Sequence, residues 1–349
     1  MRATRNTATR VSILIPAYNA ERWIGQTIAS ALSQTWPNTE IIIVDDGSSD
    51  STVAIARTHQ TRLVKIVTQP NLGASAARNT ALSLAQGDYI QWLDADDLLA
   101  PDKISQQLCA PDAGADSRVL LTAPFGTFFY CHQRAKYQPT SLWRTLTPLE
   151  WISVKFIENA WMNPAAWLVS RRLTDAAGPW DERLSRSGDD DGEYICRVVL
   201  ASEQVAFVPA AKCYYRVGHA GTLSQRCADT AYEGLLLATA LSINHLLSAA
   251  DNQDTRAACI RLLENRLWHF YPEKSDLAAE LQRLAVGLGA NRLQLRETWK
   301  YLLAAKLCGP AGAKKLREIV TRTRLVASRN VDKLLYVIDR ERGRAFLPA

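Results

Sequence analysis

Four short apolar runs, each stopped by a polar cluster and followed by a helix-like stretch, constrain this chain most. Val11 to Ile15 is β-branched and ends at Pro16. Glu40 to Val44 is stopped by Asp45-Asp46-Gly47-Ser48-Ser49, Leu63 to Val67 by the loop around Asn71-Leu72-Gly73, and Tyr89 to Leu93 by Asp94-Ala95-Asp96-Asp97. Such runs read as buried strands. Between them, Glu21 to Ser33 places Trp23, Ile24, Thr27, Ile28, Ala31 and Leu32 on one helical face. Asp50 to His59, capped by Ser48 or Ser49, and Ala74 to Ala85 read as two further helices. Strand–helix alternation at this spacing predicts an α/β fold: parallel strands, right-handed crossovers and helices on both faces. Ligands of such sheets bind beyond the carboxyl ends of the strands, so the residues after each run are the ones to inspect.

Composition excludes much else. The 349 residues are 47% hydrophobic and 22% charged, which rules out a disordered chain, a collagen-like repeat and a small disulfide scaffold. No apolar run reaches the roughly 18–20 residues of a membrane span. The best, Leu235 to Leu247, is broken by Ser242, Asn244 and His245. Arg2, Arg5 and Arg10 lead into a strand-like run, so no leader peptide is expected. The seven cysteines are scattered without a Cys-x-x-Cys pair, so reduced cytoplasmic thiols are expected. From about Asp229 the pattern turns helical, as in Leu262, Leu263, Arg266 and Leu267, or Leu277, Leu281, Leu284 and Leu288. Turns are expected near Pro272, Gly287 to Asn291 and Gly309 to Gly312. The formal charge of +6 is uneven: residues 283–349 hold 15 Lys/Arg against 5 Asp/Glu, leaving the rest mildly acidic.

Three acidic clusters carry the chemistry. Asp94-Ala95-Asp96-Asp97 puts three carboxylates in four residues at a strand end. Like charges this close raise one another's pKa unless a cation sits among them, and hard divalent cations bind through one or two carboxylates plus a substrate phosphate. In Asp45-Asp46, a carboxylate suits the imide N–H of a uracil-type base or a ribose hydroxyl, and Tyr18 suits stacking on that base. Pro70-Asn71-Leu72-Gly73-Ala74 opens a helix whose amides attract anions, with Arg78 on its first turns. Asp189-Asp190-Asp191 precedes a helix beginning near Tyr194, where acidic residues complement the helix dipole, but three aspartates exceed that need. A carboxylate there facing a bound sugar takes a proton from an attacking hydroxyl. Tyr214-Tyr215-Arg216-x-x-His219 offers a phosphate clamp and a metal or phosphate ligand. The remaining histidines are taken as structural.

Together these segments resemble a family 2 glycosyltransferase of GT-A fold. Val-Ser-Ile-Leu-Ile-Pro-Ala-Tyr-Asn, Val-Asp-Asp-Gly-Ser-Ser-Asp, Asn-Leu-Gly-Ala-Ser-Ala-Ala-Arg-Asn and Leu-Asp-Ala-Asp-Asp occur in order within residues 11–97, and the resemblance covers about residues 11–220. The resemblance implies a Rossmann-like nucleotide-diphospho-sugar transferase domain with a mixed central sheet over residues 11–225. A lead of residues 1–10 precedes it and a helical region, 226–349, follows. It implies that Pro16, Ala17, Tyr18 and Asp46 line the base pocket. Asn71, Gly73, Arg78 and Asp94 border the ribose and diphosphate with Arg216, and Asp96 and His219 hold a divalent metal, Mg2+ or Mn2+. The family's acidic pair, counted back from Arg197, falls on Asp190-Asp191. Asp191 is then the base, with Asp190 and Asp189 open as alternatives because Gly192 and the Asp for Glu depart from the pattern. The acceptor is expected near Trp161, Asn163 and Trp180, although core packing is the safer expectation for any single tryptophan.

The implied activity is inverting transfer from a nucleotide-sugar, a UDP-sugar by expectation, to a glycan or lipid-linked acceptor in bacterial surface polysaccharide biosynthesis. The alternative is a catalytically silent nucleotide-sugar-binding protein tethered by its basic end. An early Pro16-Ala17-Tyr18-Asn19 in place of Gly-x-Gly-x-x-Gly excludes a dinucleotide dehydrogenase. No specific nucleic-acid partner is expected. Arg317, Arg322, Arg324 and Arg329 with Leu316, Ile319, Leu325 and Val326 suggest a basic amphipathic face. A cytoplasmic protein touching the inner face of the plasma membrane is the expectation, beside a plain solvated helix.

Overall fold

The computed structural model describes residues 9–111, 113–114, 118–185, 187–218, 229–295 and 298–341. The apolar runs form the strands β1 (Val11–Ala17), β2 (Thr39–Asp45), β3 (Val64–Thr68) and β4 (Tyr89–Trp92). Between them lie α1 (Ile24–Leu32), α2 (Thr52–Thr58) and α3 (Ala74–Leu84). The sheet order is β3-β2-β1-β4-β9, where β9 is Val169–Ser170. The first four strands are parallel and β9 runs antiparallel to β4, so the sheet is mixed. Ile13, Leu14, Ile15, Ile41, Ile42, Ile43 and Val44 are all buried, as both faces of a covered parallel sheet require. The register pairs Ala17 with Asp45 and Leu14 with Trp92. The polar residues after β1, β2 and β4 therefore emerge along one edge. There the strand order turns from β2 on one side of β1 to β4 on the other, a topological switch point.

The elements that follow are β5 (Leu98–Leu99), α4 (Lys103–Leu108), β6 (Val119–Thr122), β7 (Phe125–Phe128), β8 (Lys136–Tyr137), α5 (Pro148–Glu158), α6 (Arg171–Ala177), α7 (Asp190–Ala201), β10 (Gln204–Phe207) and β11 (Cys213–Arg216). A four-stranded sheet β5-β11-β7-β8 and a parallel pair β10-β6 complete the β-structure of the described residues. Thr147 and Glu150 form a reciprocal capping box that starts α5, with Pro148 at its first position. Helices α8 (Asp229–Ala249), α9 (Gln253–Phe270) and α10 (Ser275–Gly287) follow. α8 packs on α7 and α9 on α5, and Ile243, Leu246, Leu262, Leu263 and Leu281 join the same core as the central sheet. The last helix, α11 (Trp299–Glu341), is kinked at Cys308 and Gly309, just before Pro310, inside the expected turn. The break between α9 and α10 and the end of α10 also fall where expected.

Several local expectations change. α2 begins later than expected and neither Ser48 nor Ser49 caps it. Asp50 Oδ1 accepts from the Thr52 amide instead, while Ser48 Oγ accepts from the Asn19 amide and ties the loop after β1 to the loop after β2. Leu32 is exposed, so the buried stripe of α1 stops at Ala31. The expected domain boundary at 225/226 lies outside the described residues, as does His219. No helix among the described residues is long and apolar enough to cross a membrane, and the six described cysteines are unpaired.

Candidate active site

A cavity of about 1070 Å³ opens at the switch point. Its lining includes Pro16, Ala17 and Tyr18 from the end of β1, Asp46 after β2, Asn71 and Gly73 before α3, and Asp94 and Asp96 after β4. Arg78 from α3 and Asp189, Asp190 and Asp191 from the start of α7 line it too. Residues spread over 176 sequence positions thus meet in one place, because parallel strands deliver their ends to one edge.

Arg78 joins two of the acidic clusters. Its guanidinium donates to Asp94 Oδ1 at 2.9 Å and to Asp190 Oδ2 at 2.6 Å, and it lies 4.4 Å from the centroid of the Trp180 ring. It is 6% exposed. Burial alone would lower its pKa, but Asp190 and Asp94 raise it, so the cation is secure. Burial raises Asp94, with Asp96 adding to the rise and Arg78 opposing it. Asp97 is held well above the usual carboxylate range by burial and by its neighbours Asp96 and Asp94. It accepts from Asn163 Nδ2 and the Arg216 amide, so it anchors the loop from below.

The three aspartates of α7 are not equivalent. Asp189 pairs with Arg266 of α9 at 2.5 Å. Asp190 pairs with Arg78 and accepts from Ser75 Oγ. Asp191 has no ion pair among the described residues and accepts only from the Gly192 amide. Burial, with the charges of Asp190 and Asp189, pushes its carboxyl up to about 7, against the pull of Lys155 and Arg78.

The remaining expected residues fall in different places. Asp46 borders the cavity, but its carboxylate is engaged: Oδ1 accepts from Gln69 Nε2 and the Leu72 amide, and Oδ2 from the Gly73 amide. Its main work is to shape the 69–73 loop. Gly73 has φ +96°, and a Cβ there would lie 2.5 Å from Ser185 Cβ, so this turn has no room for a side chain. Trp161 is 42% exposed and faces the cavity beside Tyr215 and Phe125. Asn163 reaches the cavity floor while holding Asp97.

Trp180 corrects the acceptor expectation. It is 1% exposed and stacks on Tyr194 at 4.0 Å, supporting Arg78 from the core. Arg216 is a second correction, since it does not line the cavity. Its guanidinium lies between Trp23 and Phe128 and donates to Asp96 O, Phe129 O and Gln26 Oε1. With Nε, Nη1 and Nη2 all engaged on protein acceptors, it braces the Asp96–Asp97 loop from behind. Sequence reasoning missed Lys155, Asn159, Thr239, Ser242, Leu262 and Arg266, all of which line the cavity. They sit on helices or at a helix end where periodicity reads as packing. The one available signal was Lys155 near the end of a capped helix.

Comparison with known proteins agrees with this geometry. Residues 12–124 match the Glycosyl transferase family 2 model, a narrower span than the 11–220 of the motif resemblance. An E. coli UDP-Glc:alpha-D-GlcNAc-diphosphoundecaprenol beta-1,3-glucosyltransferase is 48% identical over 99 residues, 28% of this chain and 39% of that protein. E. coli chondroitin synthase is 41% identical over 116 residues, 33% of this chain and 17% of that one. The chain thus matches well under half the length of these relatives. Among solved structures, S. aureus TarS 1-349 in complex with UDP-GlcNAc aligns over 90% of this chain and 92% of its own, with TM-score 0.61 and 18% identity. A mannosyltransferase from Pyrobaculum calidifontis, in complex with GDP-Man and Mn2+, covers 95% and 88% with TM-score 0.50 and 18% identity. The fold is GT-A, and the segment 12–124 is similar to glycosyl transferase family 2.

Proposed function

We propose that this chain transfers a sugar from a nucleoside-diphosphate donor to a hydroxyl of a glycan or lipid-linked acceptor, with inversion, in surface polysaccharide synthesis. One observation carries the reading. Of three consecutive aspartates on one cavity, two are ion-paired and Asp191 alone is not, among the described residues. A carboxyl held near 7 suits a general base at neutral pH. Asp191 takes the proton of the acceptor hydroxyl as its oxygen attacks the anomeric carbon, on the side away from the departing diphosphate. Arg78 orients Asp190 and Asp94 on either side of that point. Tyr18, 42% exposed at the cavity edge, stacks on the base, and the amides of the Asn71–Gly73 turn face the diphosphate. The names of the E. coli glucosyltransferase and of TarS with UDP-GlcNAc support UDP as the nucleotide.

The cavity fits a divalent cation, Mg2+ or Mn2+. Asp94 and Asp96 both face it, and Asp94 is raised partly by the charge of Asp96, a crowding that a cation relieves. Among the described residues no three His, Cys, Asp or Glu side chains gather to hold a metal alone. Substrate oxygens would therefore complete the shell. When bound, the cation offsets charge on the leaving diphosphate. His219 as a ligand stays a proposal from the sequence. Arg216 acts through the Asp96–Asp97 loop.

The alternative, a silent nucleotide-sugar-binding protein, is opposed by the raised, unpaired Asp191. Release of nucleoside diphosphate from a panel of nucleotide sugars separates the two, since a silent binder releases none. We also propose contact with an anionic membrane through α11. Leu316, Ile319 and Val320, and eleven residues further on Val331 and Leu334, are exposed, with Arg322, Arg324 and Lys333 exposed on the same helix. Co-sedimentation of the full chain with vesicles of anionic lipid, compared with zwitterionic vesicles, tests this. Equal binding to both removes the idea.

A further inference from the structure

The cavity volume of about 1070 Å³ exceeds what one bound ligand usually fills. Its side away from Pro16 and Tyr18 is built by helices beyond the family match: Lys155 and Phe156 of α5, Thr239 and Ser242 of α8, and Leu262 and Arg266 of α9. Two cations stand there. Lys155 lines the cavity, and its side chain makes no hydrogen bond or ion pair among the described residues. Arg266 spends Nη2 on Asp189, while its Nε is buried without a partner and its side chain is only 14% exposed. The electrostatic pull of Lys155 reaches Asp191, so it stands close to the reacting point. Nearer Tyr18, Arg78 of α3 is already tied to two carboxylates, and Arg22 is held by Tyr130 Oη and the Trp23 ring. Cations without a full set of protein acceptors in a partly enclosed cavity are stabilised by an anion that arrives with the ligand.

We infer that Lys155 and Arg266 form an acceptor subsite for an anionic oxygen group, a phosphate ester or a carboxylate, carried by the sugar whose hydroxyl meets Asp191. This rests on the transferase reading and narrows its acceptor class. Lys155 is the leading contact and Arg266 the second, because Asp189 occupies only part of the guanidinium.

The test is calorimetry on the full chain saturated with UDP and Mn2+, so that the donor's diphosphate site is filled. The probes are glucose 1-phosphate, glucuronate and the uncharged methyl glucoside. The inference expects at least one charged sugar to bind about tenfold or more tighter than methyl glucoside, and which one does so identifies phosphate or carboxylate. Lys155→Met should erase that preference without changing UDP binding, and Lys155→Arg should restore it. If Lys155→Met does not fold, Lys155→Gln serves with the same expectation. Equal affinity for all three sugars, or a preference that survives Lys155→Met, overturns the inference while leaving the donor reading intact. Failure of UDP or any other nucleoside diphosphate to bind the wild-type chain overturns the donor reading, and this one with it.

Discussion

Replacing Asp191 with Asn should change both activity and stability, in opposite directions. The wild-type carboxyl is held near 7, against 3.8 in an unstructured chain, chiefly by burial and by Asp190 and Asp189. Below pH 3.8 the group is protonated whether folded or unfolded and adds nothing. Between about pH 4 and 7 the folded state holds the proton that the unfolded state has lost. Stability therefore falls with rising pH across that window and is level above it. Three pH units at about 1.4 kcal/mol each set an upper bound of about 4 kcal/mol, and relaxation around a cavity-facing side chain makes about 2–4 kcal/mol reasonable. Asn has no such window. The variant should be more stable than wild type above pH 7, by roughly 3–5 °C in Tm for a chain of this size, and should converge with it near pH 4. Turnover should drop about 10²–10⁴-fold, and the acid limb of the wild-type rate profile, with an apparent pKa near 7, should vanish. Thermal melts at pH 4, 6 and 8 and donor turnover across the same range provide the readouts. Near-normal turnover with the limb intact refutes Asp191 as the base; identical melts at pH 8 refute the raised pKa.

Arg78→Met leaves Asp94 and Asp190 without their shared cation, so we expect a loss of about 3–5 kcal/mol in denaturant unfolding, reduced at low pH where the carboxylates protonate. Gly73→Ala forces a side chain into Ser185 at a positive φ; about 1–3 kcal/mol of destabilisation and weaker nucleotide binding are expected by melting and calorimetry. Asp96→Ala should abolish the Mn2+ dependence of nucleotide binding, and unchanged calorimetry would remove Asp96 from the cation site. Trp180→Leu should lower stability, by loss of stacking with Tyr194 and Arg78, without a selective rise in acceptor KM.

The donor side of the cavity was legible because local sequence encodes it. A strand end followed by Asp94-Ala95-Asp96-Asp97 needs only the parallel sheet to reach the switch point. Arg78 was legible as a site residue but not as the bridge between Asp94 and Asp190, because that bridge spans 112 positions. The ambiguity among Asp189, Asp190 and Asp191 had the same origin: each ion-pair partner lies on a distant helix, α9 for Asp189 and α3 for Asp190. Trp180 and Arg216 misled in the other direction. A tryptophan near an acidic site and an arginine after a strand carry no local sign of burial, and packing against Tyr194, Trp23 and Phe128 decides their roles. Lys155 was not singled out and Arg266 was read only within a helical pattern, since periodicity reports which side is apolar but not which cavity it closes. The basic end was read as a separate handle. The structure returns it to the body that carries the cavity through Asp332, which accepts from the Tyr130 and Cys131 amides, and through Arg329, which donates to Gly218 O.

The central claim is that Asp191 faces the sugar from the side opposite the departing diphosphate. The direct measurement is proton NMR of the first sugar product released from an α-linked nucleotide-sugar that the chain turns over. The account predicts that the β-anomer appears first and that Asp191→Asn slows its appearance. First appearance of the α-anomer means that the configuration is retained, and it contradicts single displacement with Asp191 as the base.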